Sequence, residues 1–170
     1  MELNKVFEDR FSVRSFKNIP VEDEKIDALL KAAQLAPTAH NNQPQRIFVI
    51  KSEDALDKLR SCTKCVFGAP VVLMICANTD EVWHNRFSGA VSSETDAAIV
   101  TTYMMLKAWD MGLGSCWVHY FDPAALRKAF DLPENLTPFN LLPLGYPAED
   151  ATPIPMHFEN KATHEFTTVL

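Results

Sequence analysis

The chain has 170 residues, which fits one domain over 1–170, and its 47% hydrophobic and 22% charged residues exclude the disordered and fibrous classes. A balance of 16 Lys and Arg against 22 Asp and Glu, net charge −6, argues against nucleic acid as a partner. The longest apolar run, residues 69–77, is far shorter than the roughly 20 residues of a membrane-spanning helix, and residues 1–10 carry no apolar block of signal-peptide type, so a cytoplasmic protein without a membrane partner is expected.

Leu3, Val6 and Phe7 have helical spacing and predict a short helix up to Arg10. After the segment 10–16, Pro20 is expected to open a second helix with Glu22, Asp23 and Glu24 in its first turn and a stripe of Ile26, Leu29, Leu30 and Ala33; Pro37 stops it. A polar loop over 38–45 leads into a buried strand at 47–50, and Ser52 caps a third helix over 52–61. A buried strand over 71–77 is followed by a loop holding Trp83, His84, Asn85 and Arg86. Ser93, Glu94, Thr95 and Asp96 have the form of a capping box, the longest helix runs over 96–111, and Gly112 ends it. That helix is apolar on more than one face and is expected to be central and buried. Strand character returns at 115–118, Asp122 and Pro123 start a short helix through Phe130, and the last strand lies at 140–145. The Pro-rich stretch 147–155 ends in a tail whose residues 166–169 look extended. Helices alternating with strands imply a sheet covered by helices, without forcing a parallel order.

The chain has no GxGxxG, no GxxxxGK[ST], no GxSxG and no HExxH, so neither a dinucleotide-binding fold nor a hydrolase or zinc-protease site is expected. No catalytic side chain and no metal ligand set can be assigned. Cys62 and Cys65 form a CxxC, but at the end of a helix, where a thioredoxin-like dithiol would open one; incidental thiols are the preferred reading, a dithiol oxidoreductase the rival. Cys76 and Cys116 fall in apolar runs and are expected in the core.

Two segments have chemistry of their own. Arg10, Ser12 and Arg14 alternate just past a helix end, an arrangement of forked donors suited to a phosphate, with a solvated turn as the alternative. Residues 37–44, Pro-Thr-Ala-His-Asn-Asn-Gln-Pro, pack neutral donors and acceptors between two prolines, suiting the edge of a planar heterocycle or a ribityl chain, or serving only as polar punctuation.

In order and spacing, residues 10–16, 36–44, the helix from Asp96 to its end at 113–117, and 142–147 (Leu-Pro-Leu-Gly-Tyr-Pro) together resemble the nitroreductase family of FMN-dependent oxidoreductases, over nearly the whole chain. The resemblance implies an α+β fold with a central mixed sheet flanked by helices, and a homodimer with the long helix at its interface and two FMN sites between the subunits. It implies that Arg10, Ser12 and Arg14 hold the phosphate and ribityl end, that Pro37, Thr38, Ala39 and Asn41, with Gln43 in the same loop, approach FMN from the partner chain, that Ser93 and Glu94 lie near the reactive N5, and that His119 and Tyr120 line the pyrimidine side. Three positions depart from the family's pattern. Gln45 stands where Trp is common; Asn160 and Lys161 replace a basic pair that reaches the phosphate, leaving Lys161 as the one cation; and His119 replaces a Gly, so that an imidazole either donates to the flavin or packs inertly.

Since a flavin carries the electron chemistry itself, the lack of an assignable acid, base or nucleophile agrees with this family. The expected function is transfer of electrons from NADH or NADPH to a small planar acceptor, such as a nitroaromatic or quinone, by a ping-pong mechanism. The alternative is a non-enzymatic flavin store whose open face is closed by Trp83, Phe87 or the tail.

Overall fold

The computed structural model describes residues 2–170. Its interior is organised by one strand, β2 (Val71–Asn78), whose period-2 side chains serve two separate cores. Val71, Leu73 and Ile75 pack with α2 (Asp23–Leu35) and α4 (Ser93–Asp110), against Leu29, Ala97, Val100 and Met104. Val72, Met74 and Cys76 face α3 (Glu53–Cys62) and α5 (Pro123–Ala129), against Leu56, Leu59 and Leu126. The result is helices on both faces of a four-stranded sheet, an α+β arrangement completed by α1 (Leu3–Asp9).

The sheet order is β1 (Gln45–Ile50), β2, β4 (Leu136–Gly145), β3 (Gly114–Ser115), and every neighbouring pair is antiparallel. The mixed character expected of the sheet is confined to one isolated parallel bridge between Ser12 and Ser115. Pairing direction depends on partners far apart in sequence, so the alternation of helix and strand did not reveal it. β4 is longer than expected and carries Pro138 and Pro143; beside Pro138 its register with β2 slips, between Ile75 and Cys76, in the manner of a bulge that accommodates a residue without an N–H.

Local signals hold with small displacements. Ser52 accepts from Ala55 N, and Asp122 accepts from Ala124 N and Ala125 N, as caps should. Helix α2 begins at Asp23 rather than near Pro20, because Glu22 is the first residue with cap geometry. Helix α4 starts earlier than read, with Ser92 at the cap and Ser93 inside. The strand expected at 115–118 pairs regularly only at Gly114–Ser115, then by a single bridge from Val118 to Leu141. The tail at 166–169 forms no strand, a turn at Thr163–Glu165 preceding it. Cys76 and Cys116 are buried as expected; burial pushes the Cys76 thiol up to about 12. No described helix is long and apolar enough to cross a membrane.

Buried polar groups fix the layers in register. Asn140 Nδ2 donates to Thr101 Oγ1 at 2.9 Å and its Oδ1 accepts from Trp117 Nε1 at 2.9 Å, tying β4 to α4 and orienting the chain after β3. At the other end of the sheet Tyr146 donates to Glu22, and Lys25 Nζ donates to the Tyr146 hydroxyl at 2.7 Å. This anchors residues 145–148, to which Lys17 N and Ser15 O are in turn bonded.

Candidate functional site

The segment 10–16 lies along the outer edge of β3. Val13 N donates to Ser115 O at 3.0 Å, and Val13 is fully buried, so Ser12 and Arg14 on either side of it turn outward by strand alternation. Glycine at 114 permits this approach, because a Cβ there would lie 2.5 Å from Val13 Cγ2. Arg14 Nη1 donates to Ser12 O at 3.2 Å, and Arg10 Nη1 rests 3.8 Å from Met105 Sδ, a weak acceptor. Neither guanidinium has a carboxylate partner among the described residues, in a chain with 22 acidic side chains. Two forks of N–H donors left free beside a serine hydroxyl fit a phosphate-like oxyanion.

Two neighbours of this face were not singled out from the sequence. The C-terminal residues Pro153, Ile154, Met156 and His157 line an open cavity of about 190 Å³ together with Ser12 and Arg14, and His157 meets Phe11 edge-on at 6.5 Å. Only the stiff Pro-rich composition of that stretch hinted at a built segment. The Cys116 thiol lies in the same neighbourhood; burial raises it, against the opposing pull of Arg14.

The loop 37–43 sits at the other end of α4. Ala39 N donates to Asp96 Oδ1 at 2.8 Å, and Ser92 Oγ donates to Asp96 Oδ2 at 2.7 Å. Asp96, only 1% exposed, therefore ties the loop to the helix start where Ser93 is buried and Glu94 exposed. The sequence placed Asp96 in a capping box, and its grip on a distant loop was not legible there. Thr38 Oγ1 accepts from Gln43 N, while His40, Asn41 and Gln43 all have positive φ, between 51° and 56°, a strained conformation for residues with a Cβ. Pro37 precedes this turn on the exposed side. Beside it Gln45 is half-buried, and its Oε1 is buried without a hydrogen-bond donor.

Arg10 contacts α4 at Met105 and Ala39 contacts it at Asp96, nine residues and about 13 Å of helical rise apart. Within one chain the two polar groups thus form separate clusters. His119 and Tyr120 make a third. They are exposed beside a cleft shared with Arg60, Cys62 and Lys64, and Thr63 Oγ1 donates to Tyr120 O at 2.5 Å. His119 lies against the Trp117 ring, centroids 6.2 Å apart. The CxxC backbone is part of this clamp, since Asp122 N donates to Cys62 O. Lys161 is exposed on the tail, with no hydrogen bond or ion pair to the Arg10 and Arg14 face.

Comparison with known proteins identifies the family of the chain. The model of the nitroreductase family matches residues 7–66 and 60–146. A crystal structure of a nitroreductase family protein from Clostridium difficile 630 superposes with a TM-score of 0.93 at 35% identity, covering 99% of this chain and 98% of that one. The NADH dehydrogenase of Thermus thermophilus is 31% identical over 179 residues, covering 85% of this chain and 86% of that protein. The FMN reductase [NAD(P)H] of Bacillus subtilis is 24% identical over 184 residues, 98% of this chain and 74% of that protein.

Proposed function

Because the chain belongs to the nitroreductase family, we propose that it is an FMN-dependent oxidoreductase passing electrons from NADH or NADPH to a small planar acceptor, such as a nitroaromatic or quinone. The observation that carries this reading is the face of Arg10, Ser12 and Arg14, two guanidiniums without carboxylate partners among the described residues, mounted on a buried strand edge. The names of relatives, an NADH dehydrogenase and an FMN reductase, agree with it.

FMN, when bound, would supply the redox chemistry between the nicotinamide and the second substrate. The protein's part is to bind and orient. Arg10 and Arg14 hold the phosphate by charge-assisted forks, and the Ser12 hydroxyl serves the ribityl end. Ser93 and Glu94, at the start of α4, would offer backbone groups to the ring, and His119 and Tyr120 would serve its pyrimidine side. Lys161 adds a cation from the tail. Pro37, Thr38, Ala39, Asn41 and Gln43 reach the ring from a second copy of the chain.

A homodimer has a physical motive besides kinship. Leu3, Phe7, Leu35 and Tyr103 are exposed around an apolar groove of about 540 Å³ between α1, α2 and α4, a surface that an isolated chain leaves in water. Light scattering of the FMN-loaded protein at micromolar concentration is expected to give twice the chain mass. A monomer with FMN still bound would contradict the shared site.

The sequence has no dinucleotide-binding motif that would seat the nicotinamide separately, so nicotinamide and acceptor use the same open face in turn. Initial rates at several acceptor concentrations are expected to give parallel double-reciprocal lines, with NAD+ competing against the acceptor. Intersecting lines would mean that both substrates bind together and would overturn the shared face.

A further inference from the structure

The loop between β2 and α4 is folded onto itself. His84 bridges Val91, Asn85 N donates to Ala90 O at 2.8 Å, Gly89 N donates to Asn85 O at 2.7 Å, and the Asn85 side chain accepts from Phe87 N and Ser88 N. Glycine at 89, with φ +74°, makes the turn. The base of the loop is fixed to the core, for Trp83 N donates to Ser92 Oγ, Ser92 N donates to Trp83 O, and Ser92 is held by the buried carboxylate of Asp96. The same carboxylate holds Ala39, the neighbour of His40. One buried group thus positions two aromatic rings from separate loops, and His40 and Trp83 stack with planes 15° apart and centroids at 6.2 Å.

This stacked pair lines a cleft of about 560 Å³ together with His84, Asn85, Arg86 and Phe87. No acidic side chain lines it, although the chain carries a net charge of −6. Arg86 lies over the Phe87 ring, 4.9 Å from its centroid, and has no carboxylate partner among the described residues. A flat π surface beside a guanidinium with free donors suits a planar aromatic ring bearing an anionic group. We propose that this cleft is a substrate subsite selecting an anionic planar aromatic, with His40 and Trp83 stacking the ring and Arg86 pairing the charge. The assignment rests on the oxidoreductase reading, for which it names the substrate class. The anion belongs either to an aromatic acid serving as acceptor or to the extra phosphate that distinguishes NADPH from NADH.

Calorimetric titration of the FMN-loaded protein separates these. p-Nitrobenzoate and NADP+ carry the charge, while p-nitrobenzyl alcohol and NAD+ are their less charged counterparts. Arg86→Ala, a surface substitution checked by unchanged FMN content, is expected to weaken at least one of the two anions about tenfold and to leave its counterpart unchanged. The anion that is weakened identifies the source. Trp83→Leu is expected to weaken both members of the affected pair, since stacking ignores charge. If Arg86→Ala leaves both anions unaltered, or weakens charged and neutral ligands alike, the subsite is wrong. Failure of the parent reading looks different, because NADH and NADPH would then fail to reduce bound FMN in the wild-type protein whatever Arg86 does.

Discussion

Arg14→Ala is expected to bind FMN roughly 10- to 150-fold more weakly than the wild-type protein, the equivalent of losing one charge-assisted contact worth about 1.5–3 kcal/mol. The lower part of that range is expected, because Arg14 is exposed and part of its attraction is screened. Among the described residues Arg14 donates only to Ser12 O, so its removal strands no buried acceptor and the fold should persist. That makes the variant a clean test. Arg14→Lys keeps the charge without the fork and is expected to fall between the two. Flavin fluorescence, quenched or restored on titration, measures the affinities. Equal affinity in wild type and Arg14→Ala would remove Arg14 from the phosphate site.

Gly114→Ala is expected to damage stability and cofactor binding together. Its Cβ would stand 2.5 Å from Val13 Cγ2, 2.9 Å from Val13 Cβ and 3.0 Å from Pro147 Cγ. Val13 is fully buried and branched at Cβ, and cannot swing aside without meeting the core. The segment 12–14 must instead lift from β3, stretching the bond from Val13 N to Ser115 O. Overpacking of this kind costs about 1–3 kcal/mol, or roughly 2 to 12 °C in Tm for a chain of this size. The same displacement moves Ser12 and Arg14, so FMN affinity should fall although neither residue is altered. A Gly114→Ala protein with wild-type Tm and wild-type FMN affinity would show that the close approach at β3 has no bearing on the site.

The elements that announced themselves in the sequence did so through local chemistry. Ser52 and Asp122 are caps whichever fold surrounds them, and the apolar run of β2 has no alternative to burial. Likewise the spacing of Arg10, Ser12 and Arg14 sets them on one side of an extended segment once Val13 is buried. What stayed hidden depends on contacts between distant parts of the chain. The antiparallel order of the sheet is set by pairings such as Val71 with Leu144. The capping box expected of Ser93–Asp96 does not form: Ser92 is the N-cap without a side-chain cap bond, and Ser92 and Asp96 bond to two loops instead, contacts that a local motif does not encode. The approach of residues 153–157 to Ser12 and Arg14 had no periodic or motif signal beyond the Pro-rich composition of that stretch.

The most direct test of the central claim is the visible spectrum of the FMN-loaded protein, mixed without oxygen with NADH or with NADPH. At least one of them is expected to bleach the flavin band, and a nitroaromatic or quinone then to restore it. A protein that binds FMN but shows no bleaching with either nicotinamide would contradict the NAD(P)H-dependent enzyme and leave a flavin store or a different electron donor in its place.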